Sequence, residues 1–358
     1  MHLSSLRLYQ FKNHLDQKFT FGPELNAIIG ENGSGKTNLL DAIYFLALSK
    51  SAFQKQDALN ITHGHTQAVI EGAFVTDEHK ELITIVLDTT AKKQVLLDKK
   101  PYERISEHIG KYPVVMIAPD DTDLIRDGSE YRRRVFDGII SQLDPVYLTN
   151  YQQYNRYLDQ RNSLLKQFAE QRYFDQNLLD AYSIPLVDLA MALAERRRAF
   201  LADFLPMVRR HYLEISEGKE EITIAYESLV KEDFKAVFYA QQNHDRAAQR
   251  TSMGVHKDDF LLLMDGESFK KFGSQGQKKS MILAIKLAQF DILRQYSGKK
   301  PLLLLDDIFD KLDDQRMDKL VKKIVEGHFG QVFLTDARPE RTKGLFKDWG
   351  EHVKIYEF

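Results

Sequence analysis

The sequence predicts an α/β protein that has a mixed β-sheet lobe and a mainly helical lobe. Apolar runs typical of buried strands occur in LNAII near the start and in LLLLDD and QVFLTD near the end. Residues 67–98 form short β-rich runs broken by charged turns, and residues 129–212 are poor in glycine and indicate several long helices. We therefore predict a first lobe built from residues 1–125 and 215–358, and a helical second lobe built from residues 126–214.

Composition is that of an ordinary globular protein. Of the 358 residues, 43% are hydrophobic and 28% are charged. The absence of cysteine excludes disulfides and cysteine-based zinc sites. The net charge of −2 gives no overall basic excess, so any DNA-binding surface must be local or assembled by dimerisation. The N-terminus lacks a signal-peptide pattern and no apolar run approaches the roughly 18 residues of a membrane span, so we expect a cytoplasmic protein with no membrane partner.

A phosphate-binding loop is indicated after the first apolar run. GENGSGKT fits G-x-x-x-x-G-K-[ST] between a strand pattern and a helical pattern. Glycines let backbone N–H groups point at phosphate oxygens, Lys36 neutralises the β- and γ-phosphates, and the Thr37 hydroxyl ligates Mg²⁺. The sequence therefore predicts ATP and Mg²⁺ as cofactors, with binding residues Gly30, Glu31, Asn32, Gly33, Ser34, Gly35, Lys36 and Thr37.

An acidic strand end predicts the second half of this site. The four leucines of LLLLDDIFDKLD indicate a buried strand, and ligands bind at the carboxyl ends of parallel strands. We predict that Asp306 holds Mg²⁺, through water, and that Asp307 orients or deprotonates the attacking water. Lys36, Asp306 and Asp307 are thus the predicted catalytic residues.

A serine- and glycine-containing turn, FGSQGQ, precedes a strong helical pattern. Its S-x-G-Q core, Ser274, Gly276 and Gln277, lies one helix before the acidic strand, and a serine hydroxyl and N–H groups at a helix N-terminus bind anions. This order of motifs resembles the ABC-type P-loop ATPases, in which that anion is the γ-phosphate held by a second subunit. The resemblance implies a head completed by ATP-dependent homodimerisation. Most such ATPases carry Glu at the position of Asp307, so slow hydrolysis is expected.

The sequence leaves the roles of two positions near the site open. Asp313 occupies the D-loop position after the acidic strand, where it either crosses a dimer interface or caps the next helix. The strand QVFLTD ends at Thr335 and Asp336, where ABC transporters often place a switch histidine, and no histidine is there. The sequence therefore assigns no γ-phosphate sensor.

Several longer segments are specific in combination. They are LRLYQFKNH, NAIIGENGSGKTNLLDAIYFLALSKS, residues 118–128 with the basic run 131–134 and Asp137, residues 151–165, residues 254–259, and GSQGQKKS. Together they resemble the RecF family of bacterial DNA repair proteins, which is related to the SMC ATPases.

The resemblance implies a two-lobed head that ATP drives to dimerise on double-stranded or gapped DNA and that hydrolysis releases. It implies RecR- and RecO-type mediators as partners, and help in loading RecA at single-strand gaps during recombinational repair, replication restart and the SOS response. Val255 and Lys257 stand where the family commonly has Pro and Arg, and Lys lacks the guanidinium fork of a bidentate contact. Ala52-Phe53-Gln54 follows Ser51 without the Arg that the family tends to have there.

Two other functions fit part of the pattern. The nucleotide-binding subunit of a transporter would share the ATP motifs, but it should carry the switch histidine. A small-molecule P-loop kinase would need no S-x-G-Q motif and could act as a monomer.

Charged and aromatic runs outside these motifs have more than one interpretation. The arginines at positions 132–134 either contact phosphates or lie on a solvated face, paired with Asp127 or Asp137. For the arginines at positions 196–198 we favour a solvated helix face. The tyrosines at positions 147, 151, 154 and 157 recur at helical spacing, which indicates core packing rather than a base-stacking platform.

Overall fold

The computed structural model describes residues 1–76, 79–216, 220–310 and 314–358. The helices are α1 (Lys36–Leu48), α2 (Asp123–Arg126), α3 (Ser129–Leu143), α4 (Pro145–Gln171), α5 (Gln176–Ser216), α6 (Phe234–Ala240), α7 (Gln242–Ala248), α8 (Phe269–Phe272), α9 (Gln275–Ser297), α10 (Asp314–Val325) and α11 (Pro339–Leu345). The strands are β1 (His2–Phe11), β2 (His14–Thr20), β3 (Leu25–Ile29), β4 (Gln67–Thr76), β5 (His79–Asp88), β6 (Gln94–Leu97), β7 (Lys100–Pro101), β8 (Val114–Ile117), β9 (Ile222–Glu227), β10 (Asp259–Met264), β11 (Glu267–Ser268), β12 (Leu302–Leu305), β13 (Val332–Asp336) and β14 (Val353–Glu357).

The chain divides into two compact units. Unit 1 comprises Met1–Asp121, Glu214–Ser216 and Lys279–Phe358, and unit 2 comprises Thr122–Leu213 and Glu217–Lys278. The sequence-based division differs at residues 122–125, at residue 214 and, above all, in the segment 215–278, which it assigned to the first lobe. Most of that segment belongs to unit 2, since β10 packs on α3 there, with two stacked phenylalanine rings whose centroids lie 4.4 Å apart.

Unit 1 contains both strand directions, in two separate sheets. One is antiparallel, in the order β2-β1-β4-β5-β6-β7, and the other is parallel, in the order β14-β3-β13-β12-β8. The parallel strands are buried apolar runs, as expected for a sheet covered on both faces. Their carboxyl ends place the loop after β3 and the loop after β12 at the same edge, with the end of β13 between them.

The helix α1 contacts strands of both sheets of unit 1. The apolar residues at helical spacing are buried: Leu39, Leu40, Ile43, Leu46 and Ala47. Ala42 and Phe45 are buried too, so the helix is covered on more than one side. Its approach to β4 depends on a glycine. A Cβ at Gly72 would lie 2.1 Å from Cδ2 of Leu46, so a larger residue there would force the Leu46 side chain to move.

Unit 2 combines α3, α4 and most of α5 with the three-stranded sheet β11-β10-β9. The predicted tyrosine stripe lies on α4. Tyr147 and Tyr154 are buried and Tyr151 and Tyr157 are half-buried, so core packing is confirmed for the stripe.

Two arginines of unit 2 are buried with carboxylates. Arg197 is 1% exposed and pairs with Asp137 at 2.8 Å and with Asp258 at 2.9 Å. Arg161 is equally buried and pairs with Asp245 at 2.8 Å. The prediction of a solvated face at positions 196–198 is therefore wrong for Arg197. The paired carboxylates come from distant parts of the sequence, so the local pattern of three arginines could not reveal its burial.

The arginines at positions 132–134 make contacts within unit 2. Arg132 pairs with Asp259 and also donates to the backbone carbonyl of Asp127. Arg133 donates to the backbone carbonyl of Asp258. Asp137, the other partner predicted for these arginines, pairs instead with Arg197 of α5.

An apolar stretch of α5 is long enough to cross a membrane by length and composition alone. Residues along it, including Leu186, Val187, Leu193 and Ala194, are at most 1% exposed. A core helix of a soluble protein passes the same test, so this one helix is weak evidence for a membrane span.

Candidate functional site

The loop after β3 has the backbone of a phosphate cradle. Gly33 and Gly35 have φ of 85° and 107°, values that residues with a Cβ rarely adopt. Gly35 also faces Asn13, and a Cβ there would lie 2.4 Å from the Asn13 amide nitrogen. The predicted glycine requirement therefore has two physical causes at Gly35, a left-handed backbone and a close neighbour.

Lys36 begins α1 and turns its side chain back into the loop. Its side chain is buried, and Nζ donates to the carbonyl oxygens of Gly30 and Glu31, both at 2.7 Å. The loop residues Glu31, Asn32 and Gly33 are exposed. A positive charge is thus fixed beneath an exposed loop.

The magnesium half of the predicted site is assembled around Asp306. The Thr37 hydroxyl donates to Asp306 Oδ1 at 2.9 Å, and the Thr335 hydroxyl donates to the same oxygen at 2.9 Å. Burial raises the pKa of the Asp306 carboxyl, and the charge of Asp307 raises it further, while both hydroxyl contacts oppose these effects. Hydroxyl and carboxylate oxygens are the ligands that Mg²⁺ prefers, so this cluster fits the predicted metal.

Asp307 is held in a left-handed backbone conformation with φ of 46°. Its N–H donates to the Thr335 hydroxyl at 2.9 Å. Thr335 therefore connects the backbone of the predicted water-orienting residue to the metal carboxylate. Sequence reasoning left the role of this position open because the order of the strands, which puts β13 between β3 and β12, is not visible in the sequence.

Two buried side-chain oxygens at this edge have no hydrogen-bond partner within the described residues. They are Ser34 Oγ in the loop and Asp307 Oδ1 after β12. A buried polar atom without a partner is unfavourable by about 1–3 kcal/mol. Such atoms at the end of parallel strands fit a site whose polar groups are completed by a bound nucleotide, metal or water.

Asp336 is a further residue whose role the sequence did not indicate. It is 1% exposed and accepts from the Thr342 hydroxyl at 2.6 Å and from the Arg341 guanidinium. The Gly30 N–H donates to its carbonyl oxygen at 3.3 Å. Asp336 thus ties α11 to the end of β13 beside the phosphate loop.

The segment after α1 is anchored by a carboxylate of that helix. Asp41 is fully buried and accepts from the Ser51 hydroxyl at 2.6 Å and from the Ala52 N–H at 2.7 Å. Lys12 pairs with the same carboxylate at 2.6 Å, and its ammonium lies 5.6 Å from the centroid of the Phe53 ring. The segment is thus held by Lys12 from the β1–β2 turn.

The S-x-G-Q motif, called the signature motif below, forms a reciprocal cap at the start of α9. The Gln277 N–H donates to Ser274 Oγ at 3.2 Å, and the Ser274 N–H donates to Gln277 Oε1 at 2.8 Å. Ser274 is exposed and Gly276 is half-buried. The serine hydroxyl thus lies at an exposed helix N-terminus, where the helix dipole and N–H groups attract anions.

The predicted site residues therefore fall in both units. The phosphate loop, Asp306 and Asp307 belong to unit 1, and the three signature residues belong to unit 2. Within unit 1 the structure brings together Thr37, Asp306 and, unexpectedly, Thr335. The D-loop candidate Asp313 lies outside the described residues.

Comparison with known proteins was made on both sequence and structure. A family model described as the RecF/RecN/SMC N-terminal domain matches residues 2–347. A DNA replication and repair protein RecF from Flavobacterium johnsoniae is 43% identical, with 99% of each chain covered. The RecF protein from Phocaeicola vulgatus is 39% identical, covering 99% of this chain and 96% of its own.

Solved structures give the same result. A recombination mediator protein RecF bound to ATP in the RecFOR pathway matches with a TM-score of 0.87 and 29% identity, over 94% of this chain and 92% of that chain. A Smc head domain bound to ScpA matches with a TM-score of 0.54 and 17% identity, over 99% of this chain and 93% of that chain, which shows the fold alone.

Proposed function

Because this chain belongs to the RecF family of DNA replication and repair proteins, we propose that it is an ATP-operated switch that dimerises on DNA. It acts in recombinational repair, replication restart and the SOS response by helping to load RecA at single-strand gaps. The observation that carries the proposal is the cluster of Thr37, Asp306 and Thr335 beside the phosphate loop, because it joins the metal half and the phosphate half of one site. None of the comparisons supports the transporter alternative.

ATP and Mg²⁺ are the proposed ligands of unit 1. Lys36 and the loop N–H groups bind the phosphates, while Thr37 and Asp306 hold the metal. Mg²⁺ neutralises the charge on the phosphates when bound, and Asp307 orients the attacking water. Asp307 carries a shorter side chain than Glu, and its carboxylate depends on a left-handed backbone for its position. Both features support slow hydrolysis, which suits a switch better than a metabolic enzyme.

Dimerisation is supported by the division of the motifs. Ser274, Gly276 and Gln277 lie at an exposed helix start in unit 2, and we propose that they bind the γ-phosphate held by unit 1 of a second copy. DNA, double-stranded or gapped, lies against the closed dimer. RecR- and RecO-type mediators are the proposed protein partners, in line with the RecFOR pathway of the ATP-bound relative. The site of action is the cytoplasm, with no membrane partner.

A first experiment tests the switch. Asp307→Asn removes the carboxylate that orients water but keeps its size, so we expect ATP to bind and hydrolysis to fall by about 10²–10⁴-fold. Light scattering should then detect a stable dimer with ATP, and a titration with gapped and duplex DNA should give higher affinity with ATP than without. A variant that binds ATP yet stays monomeric and gains no DNA affinity would refute the switch.

A second experiment separates helix capping by Ser274 from its proposed binding of the γ-phosphate. Asp caps helices about as well as Ser, but it places a negative charge where the γ-phosphate is proposed to bind. Ser274→Asp should therefore keep the thermal stability of the protein and its monomeric ATP affinity while abolishing ATP-dependent dimerisation. Ser274→Ala, the matched control, should lose about 1 kcal/mol of stability. Normal dimerisation by the Asp variant would exclude the γ-phosphate contact.

A further inference from the structure

An open groove in unit 2 lies at the turn between α4 and α5, beside α7. Its volume is about 460 Å³. The floor is apolar and includes Leu165, Phe168 and Phe174, and the rim carries the guanidinium groups of Arg172 and Arg246. None of the ATP-site residues described above lines this groove, so its role is separate from the nucleotide.

The walls of the groove are fixed by contacts outside it. Asp245 on α7 is 1% exposed and pairs with Arg161 on α4, and it also accepts from the Ser252 N–H at 2.9 Å. The side-chain amides of Gln176, at the start of α5, and Gln242, at the start of α7, hydrogen-bond to each other. The groove is therefore preformed, so a ligand would not have to order it.

The charge on the rim is uncompensated. Within the described residues, no carboxylate pairs with Arg172 or Arg246, although both side chains are exposed. The guanidinium of Arg246 lies 3.7 Å from the centroid of the Phe174 ring, so one of its faces is covered by the ring. Its planar edge stays available, in a fixed orientation, for two parallel hydrogen bonds to a carboxylate.

Most of the aromatic surface in the groove is engaged by neighbouring side chains. Arg246 covers Phe174, and Phe168 meets the rings of both Tyr173 and Phe174 edge-on, with interplanar angles of 77° and 72°. A single-stranded nucleic acid gains most of its affinity from successive open aromatic faces, and of the lining rings Phe168, Tyr173 and Phe174 only Tyr173 is exposed. An apolar floor with two guanidinium groups instead matches an apolar side chain next to carboxylates.

We propose that this groove binds an acidic peptide segment of a partner protein, with one apolar side chain against Phe168 and flanking carboxylates on Arg172 and Arg246. The site extends the proposed function by giving unit 2 a protein-binding surface that needs neither ATP nor DNA.

The test is selection of displayed random peptides on the full-length protein without nucleotide, with counter-selection on the charge-reversed variant R172E/R246E. We expect peptides that combine Asp or Glu with Phe, Leu or Ile, and at least a tenfold loss of affinity for the variant, measured by fluorescence polarisation of a labelled selected peptide. The matched control R156E/R250E changes the same net charge at exposed arginines outside the groove and should bind the peptide as the native protein does.

A third variant tests whether the peptide occupies the groove itself. Ala247→Trp adds bulk at an exposed lining position and should block the peptide without unfolding the protein. All variants should keep ATP-dependent dimerisation, so a failure of the groove is distinguishable from a failure of the switch. The proposal is overturned if no selected peptide discriminates R172E/R246E from the control, or if the variant instead loses affinity for labelled oligothymidylate.

Discussion

Unit 1 and unit 2 both bury polar groups, but the groups at the ATP site lack partners that the buried arginines of unit 2 have. At the ATP site of unit 1, Ser34 Oγ and Asp307 Oδ1 are buried without hydrogen-bond partners in the described chain, and Asp307 has a strained backbone. In unit 2, Arg197 and Arg161 are more deeply buried, yet each lies against carboxylates. Unpaired atoms and backbone strain coincide at Asp307 beside the phosphate loop, whereas the buried ion pairs of unit 2 hold its framework.

The largest expected effect is at the paired ions. Arg197→Met leaves Asp137 and Asp258 buried without their cation, so we expect a loss of about 3–5 kcal/mol in the free energy of unfolding. The neighbouring half-exposed pair of Arg196 and Asp144 gives a matched control, and Arg196→Met should lose less than about 1 kcal/mol. Urea unfolding curves measure both. Equal losses would mean that burial does not distinguish the two pairs.

An intermediate effect is expected at the ATP site. Thr335→Val keeps the shape of the side chain but removes the contacts to Asp306 and to the Asp307 N–H. We expect kcat for ATP hydrolysis to fall about tenfold, which corresponds to about 1.4 kcal/mol, while KM changes less than about twofold.

The hydroxyl itself is tested by Thr335→Ser, which should restore kcat to within about threefold of the native value because both hydrogen bonds can reform. Stability of the two variants should be alike in thermal unfolding. If Ser fails to rescue kcat, the threonine acts through packing rather than through its hydroxyl.

The smallest effect concerns a half-buried histidine of unit 2. His256 accepts from the Tyr154 hydroxyl at 2.7 Å, and burial lowers its pKa to about 4. The unfolded chain, with a histidine pKa of about 6.5, binds more protons below neutrality, so acid favours unfolding. From about pH 7.5 to about pH 6.0 this group should lower the free energy of unfolding by less than about 1 kcal/mol.

The measurement is urea unfolding at these two pH values. His256→Gln removes the titration, so the change in unfolding free energy between the two pH values should shrink. The exposed His63 provides the control, since His63→Gln should leave that change as it is in the native protein. A pH dependence unaltered by His256→Gln would show that another group is responsible.

Local features of the fold and site were predictable from the sequence, and features that depend on distant partners were not. The phosphate loop and the acidic strand end are short motifs whose chemistry is contained in consecutive residues. The burial of Arg197 depends on two aspartates far away in the chain, and the role of Thr335 depends on which strands flank β13. For the same reason, the grouping of residues 217–278 with unit 2 could not be read from their composition.

The strand order of the parallel sheet also bears on how the protein is made. β3 precedes the phosphate loop, and both of its neighbours, β13 and β14, come from residues 332–357. A ribosome adding about 20 residues per second needs roughly 15 s to produce these partners after β3 has emerged. During that time α1 lacks β13, although the other strands that it contacts, β1, β4, β5 and β8, have already been made. The parallel sheet of unit 1 is therefore completed last, after every residue of unit 2 has been made.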